Sequence, residues 1–141
     1  MRTKDTSLRQ LRDEALFEAY TQAIRDMDFA SQSEAIDYVR RNKAPRFYID
    51  GHFCAIIIGR MQKGMPTQLK GEQRKRKFDE LYRLFREEKA KPENEGVSDG
   101  EICMRIVEMP APEFYLNYRA ASGIVARQRE MRQKEMLRWV R

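Results

Sequence analysis

One histidine and two cysteines among 141 residues leave little material for metal, redox or imidazole chemistry. Cys54 and Cys103 have no metal-ligand spacing, and each stands in an apolar stretch, so they read as two buried thiols in a reducing compartment. His52 has no second ligand and no partnered nucleophile at a useful spacing, and it reads as an ordinary residue at a helix start. Asp50, Asp99 and Glu101 form no metal set, because helix capping already accounts for Asp50 and Glu101. No glycine-rich phosphate loop is present. These absences predict a protein that is not an enzyme and needs no cofactor or metal.

Long apolar runs are missing as well. The longest, Phe53 to Ile58, is far too short to cross a bilayer, and the polar start Met1-Arg2-Thr3-Lys4-Asp5 carries no signal-peptide core. A cytoplasmic location and no membrane partner are expected. Hydrophobic residues at 41% and charged residues at 35% suit a charge-rich globular chain rather than a disordered one.

What the chain does contain is a pattern that occurs twice, 67 positions apart. Ser31-Gln32-Ser33-Glu34 is followed, nine residues on, by Ala44-Pro45-Arg46-Phe47-Tyr48-Ile49-Asp50. Ser98-Asp99-Gly100-Glu101 is followed at the same spacing by Ala111-Pro112-Glu113-Phe114-Tyr115-Leu116-Asn117. Ser-x-x-Glu is a capping box that starts a helix. Ala-Pro ends it, because proline has no amide donor and pushes the residue before it toward extended backbone. The two helices should therefore stop near Arg41 and Glu108, and Asp50 and Asn117 then stand where a following helix needs its N-cap.

Phe47-Tyr48-Ile49, Asp50-Gly51 and His52 to Ile58 also read as strand, tight turn and strand. The second copy favours helix, because Ala120-Ala121-Ser122 and Ala126 to Glu130 run on without punctuation. Longer helices precede each copy: Leu8, Leu11, Ala15, Ala19, Ala23 and Met27 recur at helical spacing after Ser7-x-x-Gln10, with Leu16, Tyr20 and Ile24 alongside. Phe78, Leu81, Tyr82 and Phe85 recur likewise. The expectation is an all-α chain of about six helices, a tandem duplication of a helix-turn-helix-like unit with an extended linker. Its repeats would cover residues 1–66 and 67–141, with the joint near Gly64-Met65-Pro66-Thr67 and a flexible loop over Lys89 to Gly96.

The net charge of +6 is unevenly spread. Residues 38–77 hold 11 basic and 2 acidic side chains and residues 119–141 hold 7 and 2, whereas residues 1–37 hold 5 and 8 and residues 78–118 hold 5 and 10. Separation of this kind suits a polyanion. The expected partner is nucleic acid, DNA before RNA, contacted by the closing helix of each unit. The candidate contacts around the first linker and helix are Arg40, Arg41, Lys43, Arg46, Arg60 and Lys63. The run Arg74, Lys75, Arg76 and Lys77 follows, and the last helix offers Arg119, Arg127, Arg129, Arg132, Lys134 and Arg138. Phe47, Tyr48, Phe114 and Tyr115 read as anchors of the linkers to a core, with stacking on single-stranded bases as the other use of such pairs. Trp139 marks a second expectation, an adaptor or homo-oligomer assembled through the C-terminal helix.

Overall fold

The computed structural model of the chain describes residues 7–140, the last by its backbone alone. The polar start and Arg141 lie outside the described residues. Six α-helices and no strand occur among them: α1 (Leu8–Asp26), α2 (Gln32–Arg40), α3 (Gly51–Lys63), α4 (Glu72–Lys89), α5 (Asp99–Ile106) and α6 (Tyr118–Val140). No helix among the described residues is long and apolar enough to cross a membrane.

The helix starts follow from local chemistry. The side chains of Ser7, Ser31, Asp50, Ser98 and Asn117 each accept from the amide three residues on, satisfying a first-turn donor that has no partner inside the helix. The capping boxes are looser than the sequence suggests. Glu34 accepts from the amide of Ala30 at 2.5 Å, and Glu101 pairs with Arg105 at 3.5 Å. Residues 51–58 belong to α3, so the hairpin reading of the first copy does not apply. The stretch expected to be a flexible loop contains a 3-10 turn, Pro92–Asn94, built around a buried side chain. Asn94 donates to the Glu88 carbonyl at 2.7 Å and accepts from Arg105 at 2.9 Å.

The helices gather into two compact units whose boundaries differ from the expected 1–66 and 67–141. One unit comprises Met1–Ala44 with Pro112–Arg141, and the other Pro45–Ala111. In the first, α1, α2 and α6 pack on one another; in the second, α3, α4 and α5 do. Each is a three-helix unit, but its third helix comes from the other half of the chain. The contiguous helix-turn-helix expected of α2, linker and α3 is not formed, because α2 and α3 belong to different units.

The linkers explain the exchange. A helix leaves its last carbonyls without partners inside the helix. The Phe114 amide donates to the carbonyl of Arg40 at the end of α2 at 3.2 Å, and the Phe47 amide donates to the carbonyl of Val107 at the end of α5 at 3.0 Å. These bonds are equivalent under the shift of 67 residues that relates the two sequence copies. Proline supplies no donor and the next residue's amide is not the one used, so the phenylalanine amide makes the bond and its ring enters the core. Phe47 and Phe114 are buried accordingly.

In the first unit Leu16, Phe17, Tyr20 and Ala23 of α1 face Ile36 and Val39 of α2 and Ala121, Ile124 and Val125 of α6. The apolar stripe of α1 is therefore turned from the one the sequence spacing suggests. Leu11, Ile24 and Met27 remain exposed, because α1 carries apolar residues on more than one face. In the second unit Phe78, Leu81 and Phe85 of α4 pack with Cys54, Ile57 and Ile58 of α3 and Ile102, Cys103 and Ile106 of α5. The buried thiols of Cys54 and Cys103 hydrogen-bond to each other, which with burial pushes the Cys54 thiol up and keeps it protonated.

Helices α3 and α5 approach closely at Gly51, where an added Cβ would stand 2.6 Å from the Met104 sulfur and 3.2 Å from its Cα. Gly51→Ala should cost about 1–3 kcal/mol of unfolding free energy despite alanine's better helix propensity. Gly59→Ala, whose Cβ would meet nothing within 4 Å, should instead stabilise by about 0.5–1 kcal/mol in the same urea titration. The exchanged helices also make the halves interdependent. Separate peptides 1–66 and 67–141 should each show little cooperative unfolding by circular dichroism and regain it on mixing. Cooperative unfolding of either peptide alone would mean that a half can close on its own third helix.

Candidate nucleic-acid interface

The second unit holds a group of cations without ion pairs in one stretch of chain. The last turn of α3 brings Arg60 and Lys63 to the chain segment 64–71, and the start of α4 follows with Arg74, Lys75, Arg76 and Lys77. Phe53, in the first turn of α3, packs edge-on against Phe78 in the second turn of α4 at 6.0 Å, and the short segment 64–71 joins the end of α3 to the start of α4. Residues 60–77 carry seven cations and a single carboxylate, that of Glu72. Arg60, Lys63, Lys70, Arg74 and Lys75 form no ion pair with another described residue, and all are exposed or half-exposed. Arg76 donates to Gln73 at 2.6 Å.

Farther along α4 and in the loop beyond it, cations are taken up by carboxylates of the same unit. Arg83 pairs with Glu80 and Glu87 at 2.6 Å, Lys91 with Glu88 at 2.7 Å and Lys89 with Asp99 at 2.7 Å. Positive side chains at the start of α4 also oppose its dipole, each at a cost of roughly 0.3–1 kcal/mol in the first turn. Gly71, the N-cap residue of α4 with φ of 90°, has no side chain to cap the first-turn amides. Open amides beside cations make an end of the helix suited to a phosphate.

No protein family, curated protein or solved structure matches the chain.

In the first unit most of the candidate arginines are engaged by the protein itself. Arg40 pairs with Asp37 at 2.6 Å and donates to the Leu116 carbonyl at 3.1 Å, tying α2 to the second linker. Arg41 pairs with the same carboxylate. Arg129 donates to the Tyr20 hydroxyl at 3.0 Å and lies over its ring, and Arg132 lies 4.9 Å from the centre of Phe17 while pairing with Glu18. Lys134 approaches Glu130 at 3.9 Å. Lys43, Arg119, Arg127 and Arg138 are exposed.

Arg46, in the second unit, folds back on its own linker, donating to the carbonyls of Phe47 and Ile49 and lying over Tyr48. Burial pushes the Tyr48 phenol up, and the Arg46 guanidinium opposes that shift. Phe47, Phe114 and Tyr115 are buried and Tyr48 is half-buried, so the linker aromatics anchor rather than display. His52 is exposed in the first turn of α3. Lys70 joins the basic end although it is absent from the candidates the sequence suggests; its place between two basic helix ends was the available signal.

Arg129→Ala tests the division between structural and open cations. The substitution should lower unfolding free energy by about 1–2 kcal/mol, from a charged hydrogen bond and a ring contact. Arg127→Ala, two residues away and exposed, should change it by less than about 0.5 kcal/mol in the same denaturant series.

Proposed function

We propose that this is a non-enzymatic, cytoplasmic nucleic-acid-binding protein, built from two duplicated trihelical units, that engages double-stranded DNA chiefly through the basic end of its second unit. The observation that carries this reading is the group of unpaired cations from Arg60 to Lys75 beside the uncapped start of α4. Such a group has unfavourable self-repulsion in the free protein, which an array of phosphates relieves. Duplex DNA suits it better than single strands, because the linker aromatics that would stack on bases are buried. The exposed cations of α6, Arg119, Arg127 and Arg138, supply a weaker contribution in this reading.

Lys63→Gln, Lys70→Gln, Arg74→Gln and Lys75→Gln combined should weaken duplex binding measured by fluorescence anisotropy. The slope of log affinity against log salt should become shallower by about 0.9 for each phosphate that the variant no longer neutralises. A well-folded quadruple variant with the wild-type affinity and salt slope would remove the reading from this surface.

A specific observation favours a second reading alongside the first. The end of α6 exposes Met136, Leu137 and Trp139, the last at 84% of its full accessible surface. An apolar, tryptophan-bearing helix end of this kind supports assembly with another protein surface.

A further inference from the structure

The partner of the α6 end is deducible from where the first unit keeps its opposite charge. Arg129 meets Tyr20 and, three residues later, Arg132 meets Phe17. Helices α1 and α6 therefore run antiparallel, and the end of α6 lies toward the start of α1. The turn from α1 to α2 lies at the other end of the same unit.

That turn carries a groove of about 320 Å³ between the last turn of α1 and the first turns of α2, lined by Ile24, Met27, Phe29 and Ala35 with Asp28 and Gln32 at its edge. Ile24 of α1 and Met27, which caps its C-terminus, are left outside the core, 47% and 41% exposed. Phe29 is steadied from behind by Tyr38, ring centres 5.6 Å apart. The surroundings are acidic: residues 24–37 hold four carboxylates, of which Asp37 is held by Arg40 and Arg41, and one cation, Arg25. Residues 127–139, by contrast, hold five cations and two carboxylates.

We infer that the α6 end of one copy docks in the α1–α2 groove of a second copy, with Trp139 against Ile24, Met27 and Phe29 and with Arg138 facing Asp26 and Asp28. The inference rests on the reading of α6 as an assembly surface and names its partner. Two α6 ends would repel each other, and so would two grooves; only the unlike pair combines opposite charge with apolar area on both sides. Trp139 cannot fill the groove of its own unit, because the antiparallel register separates them by about 25 Å along the helices at 1.5 Å per residue. The contact is thus heterologous, and a joined pair keeps one end and one groove free for further copies, which generates rings or open chains.

Sedimentation velocity of the full chain without nucleic acid tests this, using two variants at exposed positions. Trp139→Ser removes the inserted side chain; Asp26→Lys with Asp28→Lys reverses the groove's charge and leaves Trp139 intact. The wild-type chain should self-associate as concentration rises and dissociate as salt rises. Each variant alone should sediment as a monomer at concentrations where the wild type associates. An equal mixture of the two should double its sedimenting mass and grow no further, since one intact end meets one intact groove. A wild type that stays monomeric at all concentrations overturns the assembly reading together with its partner. Loss of association in Trp139→Ser but not in the groove variant leaves α6 as an assembly surface for another site and overturns the groove. A mixture that stays monomeric, or grows beyond a dimer, overturns the heterologous contact.

Discussion

The architecture depends on a pair of crossed backbone hydrogen bonds, Phe47 to Val107 and Phe114 to Arg40. Helices α2 and α5 have nine and eight residues, too few to persist alone in water. Each gains a partner for a terminal carbonyl from the linker of the other half of the chain. Ala44–Pro45 and Ala111–Pro112 are also where the chain leaves one compact unit for the other. Proline ends the helix, extends the chain and withholds its own donor, so the linker is carried past the helix it follows. The buried phenylalanine then fixes the linker in place, and the third helix follows into a unit begun by the other half.

The same topology separates the charges. Within the second unit, the end of α3, the segment after it and the start of α4 carry cations without ion pairs, while farther on Arg83, Lys89 and Lys91 are taken up by Glu80, Glu87, Asp99 and Glu88. Within the first unit, arginines take structural roles at the contacts of α6 with α1 and of α2 with the second linker. The equivalent positions of the two copies do not share these roles. Arg46 corresponds to Glu113 and His52 to Arg119, so the matched residues are those of the scaffold: the caps, Ala-Pro, and the buried phenylalanines.

Much of the fold was legible from residue types alone. Five N-caps stand where serine, aspartate or asparagine precedes an apolar-periodic stretch, because a cap bond spans only three residues. The second copy also decided the ambiguous segment 51–58 correctly as helix. The core face of α1 was less legible, since its apolar residues leave Leu11, Ile24 and Met27 over once Leu16, Phe17 and Tyr20 have turned inward. Asn94 hid the order of its loop, because its partners are the carbonyl of Glu88 and the guanidinium of Arg105. Of the candidate site, the basic segments were visible as segments. The difference between Arg127, exposed, and Arg129, held by Tyr20, was not.

The sequence by itself determined six helices, the starts of five of them and the two places where the chain must change direction, all of them consequences of backbone donors, acceptors and proline acting over a few residues. Tertiary structure decided which third helix completes which pair, because the carbonyl that each linker satisfies lies in the other half of the chain. It decided equally which cations are open to a partner. An arginine's charge is written in the sequence, but the carboxylate, hydroxyl or ring that occupies it is brought there only by packing.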